Sequence, residues 1–193
     1  MFQTIKNAWK IPDLRKKILF TLLMIVIFRF GSFIPVPFLN PEIISTLISS
    51  EESLLNLMNT FSGNAFSQAT IFAMSISPYI NASIIMQLLT VAIPALERIS
   101  KEGVEGRKKI AQWSRYLTVG LALVQAWGLY MALRSQLAAS TIPNWLVAIT
   151  IMVTFTAGTA FLMWLGEQIN EKGIGNGISM LIFAGIVSRG PAL

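Results

Sequence analysis

The side chains capable of acid–base or nucleophilic chemistry in this sequence are few. There is no cysteine and no histidine. Disulfides, thiolate or imidazole metal sites, and any Ser-His or Cys-His catalytic pair are therefore excluded. Glu97, Glu102, Glu105, Glu167 and Glu171 are the candidates for paired carboxylates outside the first loop. All five sit in charged stretches between apolar runs, where solvation or pairing with nearby Lys and Arg is the expected role. Asp13 is the only aspartate, so an intramembrane aspartyl protease would lack its second carboxylate. The tract Gly173-Ile-Gly-Asn-Gly177 has neither the Lys-Ser/Thr of a phosphate-binding loop nor a strand before it. Glycines that let a turn enter a tilted helix are the simpler reading. No enzymatic activity and no cofactor is expected. The remaining candidates are apolar. Ile76 and Ile80 lie four apart across Pro78, and Ile178 and Ile182 lie four apart after the glycine tract. That spacing puts each pair on one helix face. Such pairs are ordinarily packing or lipid-facing residues, so their meaning depends on the elements that hold them.

Those elements belong in a membrane. Of 193 residues, 54% are hydrophobic and 12% charged, with a mean hydropathy of +0.64. A soluble domain carries about twice that charge fraction. The apolar residues come in long runs rather than in alternation or a narrow stripe, which points to lipid as the solvent. The net charge of +6 is gathered mostly in two clusters, one from Lys6 to Lys17 and one from Arg98 to Arg115. Basic clusters between apolar runs mark cytoplasmic flanks. They argue against direct sequence-specific binding of nucleic acid, although a ribosome could meet such loops.

Along the chain, residues 1–12 suit a short interfacial helix ended by Pro12, with Asp13 as a candidate cap for the first span. That span covers 16–38. It is too long for a cleaved signal and lacks a small-x-small site, so it is read as retained. Arg29 lies inside it and either faces protein or water, or snorkels to the outer interface. Residues 39–60 carry Glu42, Glu51 and Glu52 and no Lys or Arg, as an external loop would. Residues 61–74 are small, weakly apolar and too short to span. Ser77-Pro78 interrupts, and 76–95 continues as a more apolar helix. A broken segment of this kind fits a transport pathway or a plain proline kink. Glu97 to Arg115, with Gly103 and Gly106, reads as a turn or flexible cytoplasmic loop. Further spans are expected at 110–133, 143–166 and, marginally short, 174–190, with a polar glycine-rich loop from Gly166 to Gly177. The whole of 1–193 reads as one all-α membrane domain of five transmembrane helices, the second broken. The N-terminus is expected inside and the C-terminus outside.

Several tracts taken together resemble the SecY family of protein-conducting channels. They are Phe30-Gly-Ser-Phe-Ile-Pro-Val-Pro37, Asn59-Thr-Phe-Ser-Gly63, Ser77-Pro-Tyr-Ile-Asn-Ala-Ser-Ile-Ile-Met-Gln-Leu-Leu89, Lys101-Glu-Gly-Val-Glu-Gly-Arg-Lys-Lys109, and Phe161-Leu-Met-Trp-Leu-Gly-Glu-Gln-Ile169 with Gly173-Ile-Gly-Asn-Gly-Ile-Ser179. They occur in the family's order and spacing and cover nearly the whole chain. The resemblance implies one half of an inverted-repeat, ten-helix channel. The chain would then be a fragment, one piece of a split chain, or a half-length protein.

The resemblance also implies roles. Ile76, Ile80, Ile178 and Ile182 correspond to a hydrophobic pore ring. The segment from 61 to 74, beginning Phe61, Ser62, Gly63, Asn64, Ala65, Phe66, Ser67, Gln68, Ala69 and Thr70, corresponds to a plug. Its small residues are expected to let it leave its seat without a large hydrophobic penalty. Gln87 and Gln125 match polar positions of the lateral gate. Arg107, Lys108 and Lys109 are expected to make cytoplasmic-loop contacts. The implied partners are SecE, SecG, SecA or the ribosome, signal-sequence-bearing polypeptides, membrane lipid and the channel's C-terminal half. Two readings compete with a channel half: half of a small-solute secondary transporter with a polar site near 76–81, and a non-transporting helical scaffold.

Overall fold

The computed structural model describes residues 11–42, 44, 59, 62–134 and 143–188. Most of the expected interfacial helix, the acidic pair Glu51–Glu52, Phe61 and the last residues of the expected fifth span lie outside the described residues.

Helix α1 spans Pro12–Gly31. Its cap position is Ile11, without a side-chain cap, and Asp13 sits in the first turn instead. Pro12 supplies the fixed φ and the missing N–H that a helix start tolerates, and Asp13 faces the positive end of the helix dipole. Helix α2 (Ser77–Ala92) and helix α3 (Pro94–Lys101) are bent by 101° at Ile93. Pro94 cannot continue the ladder and holds Ile93 in an extended conformation. Helix α4 spans Val104–Leu133, α5 Asn144–Lys172 and α6 Gly177–Val187. The charged stretch from 97 to 115 is thus helical except at a reversal around Glu102-Gly103, not a flexible loop. Gly103 and Gly106 are too few breakers to stop two strong helix-forming runs. Likewise α5 runs on to Lys172, so the glycine-rich loop shrinks to 173–176.

Among the described residues, α4 and α5 are long and apolar enough to cross a membrane, and α2 with α3 makes a third candidate if the bent pair counts as one. Only 28% and 39% of the most apolar windows of α4 and α5 are buried. Elsewhere Val91 is 82% exposed and Phe30 72%. Apolar surface on that scale is stable only against lipid.

Helix α5 is the hub and packs on α4, α6, α1 and α2. Its buried stripe is Ala148, Ile151, Phe155, Gly158, Leu162, Leu165 and Ile169. The three-four spacing keeps these residues on one side along the whole helix. Residues 62–76 run beside it in successive turns rather than as a helix. They form a wedge between two core clusters. Phe66, Ala69, Ala73 and Met74 join the α4–α5 cluster, whereas Ala65, Phe72 and Ile76 join the α1–α5–α6 cluster.

A non-helical backbone can be buried this way only if its polar groups are paired. Val36 N–H donates to the Ala69 carbonyl (2.8 Å) and Ile71 N–H to the Ile34 carbonyl (3.0 Å), an antiparallel bridge centred on Pro35 and Thr70. Ser62 Oγ accepts from Phe66 N–H (3.2 Å), Asn59 Oδ1 from Ser67 N–H (3.1 Å), and Thr70 Oγ1 donates to the Ala65 carbonyl (3.1 Å). Close approach is arranged by glycine. A Cβ at Gly158 would overlap the Ile71 carbonyl, and one at Gly31 the Phe72 ring. Phe72 completes a stack between Phe28 and Phe161, with ring centroids 5.9 and 6.0 Å away.

The turn into α6 is fixed by two asparagines. Asn176 Oδ1 accepts from Ile178 N–H (3.0 Å) and Ser179 N–H (3.3 Å), which is an N-cap. Asn170 Oδ1 accepts from Gly177 N–H (2.7 Å). The turn is also tied to α1, because Ile174 N–H donates to Thr21 Oγ1 (3.1 Å).

These contacts make two stability predictions, each readable by reversible unfolding of the chain in mixed micelles. Gly158→Val should destabilise by about 1–3 kcal/mol through overpacking. Gly120→Ala, at an exposed mid-helix position with open space around it, should instead stabilise by about 0.5–1 kcal/mol through helix propensity. Asn176→Ala should cost about 1 kcal/mol by uncapping α6, and Asn176→Ser should recover most of it. Equal effects of the two glycine substitutions, or of the two asparagine substitutions, would contradict the respective assignments.

Candidate functional site

The four isoleucines singled out by spacing converge. Ile76 is 2% exposed and closes the turn-rich segment just before α2. Its carbonyl accepts from Ile80 N–H at 3.1 Å, so the pair stays in helical register across Pro78. On α6, Ile178 lies against Gly166 of α5, where a Cβ would stand 2.6 Å from its Cδ1 atom. Ile182 sits one turn further along. Ile76 is part of the same apolar cluster as Met24, Phe28, Ala65 and Phe72, and Ile80, Ile178 and Ile182 pack half-buried against it.

The segment expected as a plug lies directly on this cluster. Ser62, Gly63, Ala65, Phe66, Ala69 and Thr70 are buried, Ser67 is half-buried, and Asn64 and Gln68 are exposed. Phe61 lies outside the described residues. Three residues of the segment and the one that follows it take left-handed φ angles: Gly63 (62°), Asn64 (74°), Ala69 (52°) and then Ser75 (53°). For the alanine and the serine that conformation carries strain, which only the surrounding contacts hold in place. The expected small hydrophobic penalty for leaving the seat needs correction. Phe66, Phe72 and Met74 are only 2–3% exposed. Each large apolar side chain is worth roughly 1.5–3 kcal/mol of burial against water. The abundance of small residues in the sequence masks these three anchors.

The two glutamines expected at the lateral gate have different surroundings. Gln87 is exposed and lines a cavity of about 520 Å³ between α2 and α4, shared with Tyr79, Ser83, Thr90 and Arg107. Gln125 is half-buried on α4, and its Oε1 atom is buried without a hydrogen-bond partner, as is Thr159 Oγ1 on α5. Arg107 thus lines the same cavity as Gln87, and Arg107, Lys108 and Lys109 are all exposed. The cavity has no local signature in the sequence. Its hydroxyls come from Ser83 and Thr90 on α2, Ser100 on α3 and Ser114 on α4, and only the α2–α3 bend brings them together.

The glutamates behave as solvated or paired groups. Glu167 Oε1 accepts from Arg115 Nε at 2.6 Å, joining α5 to α4. Lys109 Nζ stands 3.9 Å from Glu102 across the α3–α4 reversal. The hydrogen bond from Lys101, together with its charge, holds the Glu97 carboxyl below the ordinary range. Among the described residues no group of three or more carboxylates could hold a metal ion. Arg29 turns to the protein: its Nη1 donates to Ser188 Oγ at 2.8 Å.

Comparison with known proteins places this arrangement. The SecY family model matches residues 70–193. The protein translocase subunit SecY of Bacillus subtilis (strain 168) is 48% identical over 197 residues, which covers 99% of this chain and 44% of that protein. The protein translocase subunit SecY of Pseudomonas aeruginosa is 50% identical over 184 residues, covering 94% and 41%. The chain thus spans less than half the length of these curated relatives. Among solved structures, a protein conducting channel superposes with a TM-score of 0.62 at 23% identity, over 96% of this chain and 41% of that one. Sec61 in the canine ribosome–channel complex from the endoplasmic reticulum gives 0.60 at 22% identity, over the same shares. At that identity the two structures speak for the helical fold alone, but with a family match over most of the chain and near-half identity to its members, this chain belongs to the SecY family.

Proposed function

We propose that this chain is the N-terminal half of a channel that passes unfolded polypeptides across the plasma membrane and releases hydrophobic helices into lipid. The observation that carries this reading is the single apolar cluster in which Ile76, Ile80, Ile178 and Ile182 meet a buried, turn-built segment. Branched apolar side chains around a narrow opening exclude water and ions by dewetting, yet they yield to a chain in transit. Residues 61–74 act as the plug, seated against the ring at rest. Gln87 on α2 and Gln125 on α4 belong to this half's side of the lateral gate. The chain does no chemistry of its own.

In this reading α1, α2, α4, α5 and α6 are five crossings, and α3 lies along the cytoplasmic surface with Leu96 inward and Glu97, Arg98 and Lys101 outward. The basic starts of α1 (Arg15, Lys16, Lys17) and α4 (Arg107, Lys108, Lys109) put both on the cytoplasmic side, so the C-terminus is external. Helix α6, with 11 residues, covers about 16 Å and crosses only with the residues that flank it. A second five-helix half in inverted orientation supplies the remaining ring residues and the opposite gate helices. SecA or the ribosome drives transport, with SecE and SecG as companions and signal-sequence-bearing polypeptides as substrates. A small-solute transporter would need polar groups converging near 76–81, but there Ile76 is buried and Asn81 is exposed.

The test introduces Ile80→Asn and Ile182→Asn into an assembly that contains the second half. Ion conductance across planar bilayers should rise severalfold, and polypeptides with weakened signal sequences should be transported more readily. Unchanged conductance together with unchanged signal stringency would defeat the pore-ring assignment.

A further inference from the structure

We infer that Arg29 is a positioning residue that latches residues 62–74 in their seat through Ser188. The inference rests on reading that segment as the movable plug.

A guanidinium within the first span is expensive to desolvate, so its partner is informative. Arg29 is half-buried, and its Nη1 donates to Ser188 Oγ at 2.8 Å, joining the end of α1 to the end of α6 across 159 residues of sequence. Ser188 Oγ in turn donates to the Gly185 carbonyl at 2.6 Å. The hydroxyl is therefore fixed in direction, with its lone pairs turned to the guanidinium. The Phe33 ring lies 6.0 Å from the Arg29 guanidinium carbon and screens that side from solvent.

The corner made by Gly185 and Ser188 is the surface on which the plug segment begins. A Cβ at Gly63 would stand 2.8 Å from the Gly185 carbonyl oxygen and 3.0 Å from Ser188 Oγ. The backbone of Gly63, held at a φ of 62°, thus rests against the same two groups that Arg29 organises. The middle of the segment is held by the backbone bridge between residues 34–36 and 69–71. That bridge begins three residues after α1 ends. Arg29, through Ser188, and the bridge therefore hold the start and the middle of the segment from one helix terminus. A charge-assisted hydrogen bond is about twice as strong as a neutral one, and it can be broken without unfolding any helix. Such a bond is suited to a latch.

The chain has no cysteine of its own, so a single reporter can be placed cleanly. Ala65 is 1% exposed on the inner side of the segment. The full chain carrying Ala65→Cys, reconstituted in lipid vesicles, is labelled with a small maleimide, which reaches the thiol only when the segment lifts. Arg29→Gln and Ser188→Ala should each speed labelling roughly tenfold, the factor expected when a hydrogen bond to a charged group is lost. The double variant should be no faster than either single one, because both remove the same contact. Ser188→Thr, which keeps the hydroxyl, should label at the parent rate. Additive effects, no acceleration, or a Ser188→Thr rate equal to that of Ser188→Ala would overturn the latch. None of these outcomes bears on the pore ring, which is read separately by conductance.

Discussion

Backbone amides that are not in a helix cannot be left unpaired at membrane depth, and this constraint organises the bundle. Residues 62–76 form a run of turns placed among helices. Their amides are satisfied by three means: the bridge to residues 34–36, the oxygens of Asn59 and Ser62, and tight turns within the segment such as Ser75 N–H to the Phe72 carbonyl. A scatter of serine, threonine and asparagine that looks merely weakly polar in sequence is a supply of local hydrogen bonds. The helices around the segment then have to accept an irregular surface. They do so with glycines, Gly158 under the Ile71 carbonyl and Gly31 under the Phe72 ring. Between lipid-solvated helices, where no hydrophobic force drives association, such close packing is a main source of cohesion.

Much of this organisation is readable from residue types. The two isoleucine pairs can be placed by spacing, because i,i+4 on a helix face is a local property. The broken second segment is visible from Ser77-Pro78, since proline acts on its own neighbours. The buried stripe of α5 is open to the same reading, as Ala148 to Ile169 repeats at three-four spacing. The features hidden from the sequence depend on contacts distant along the chain. The Arg29–Ser188 bond joins positions 159 apart, and nothing near Arg29 distinguishes a snorkelling arginine from a latched one. The cavity beside Gln87 needs the 101° bend, and Pro94 announces a break without its angle. Helix ends are obscured where charge imitates a loop. The stretch from 97 to 115 is helical on either side of Glu102-Gly103 because Glu97–Lys101 is a favourable i,i+4 pair and Lys, Glu and Arg are good helix formers.

The composition of the plug segment suggests a part that moves at little cost, and its burial says otherwise. Phe66, Phe72 and Met74 would each lose burial worth roughly 1.5–3 kcal/mol on entering water. Read as a plug, such a segment leaves its seat only rarely on its own. In the proposed channel, opening is then driven by replacement: an incoming apolar stretch occupies the isoleucine cluster and gives the surrounding side chains new partners as Phe72 withdraws. A hydrophobic signal sequence has that chemistry, and a hydrophilic chain does not. On this account the discrimination between them begins at the plug seat, because the cost of vacating it is offset only by apolar surface. The proposed latch at Arg29 adds a directional, polar contribution that an apolar ligand cannot replace. The seat therefore resists two different kinds of accidental opening, and lifting the segment calls for apolar substitution at the ring together with rupture of one charged hydrogen bond at the end of α6.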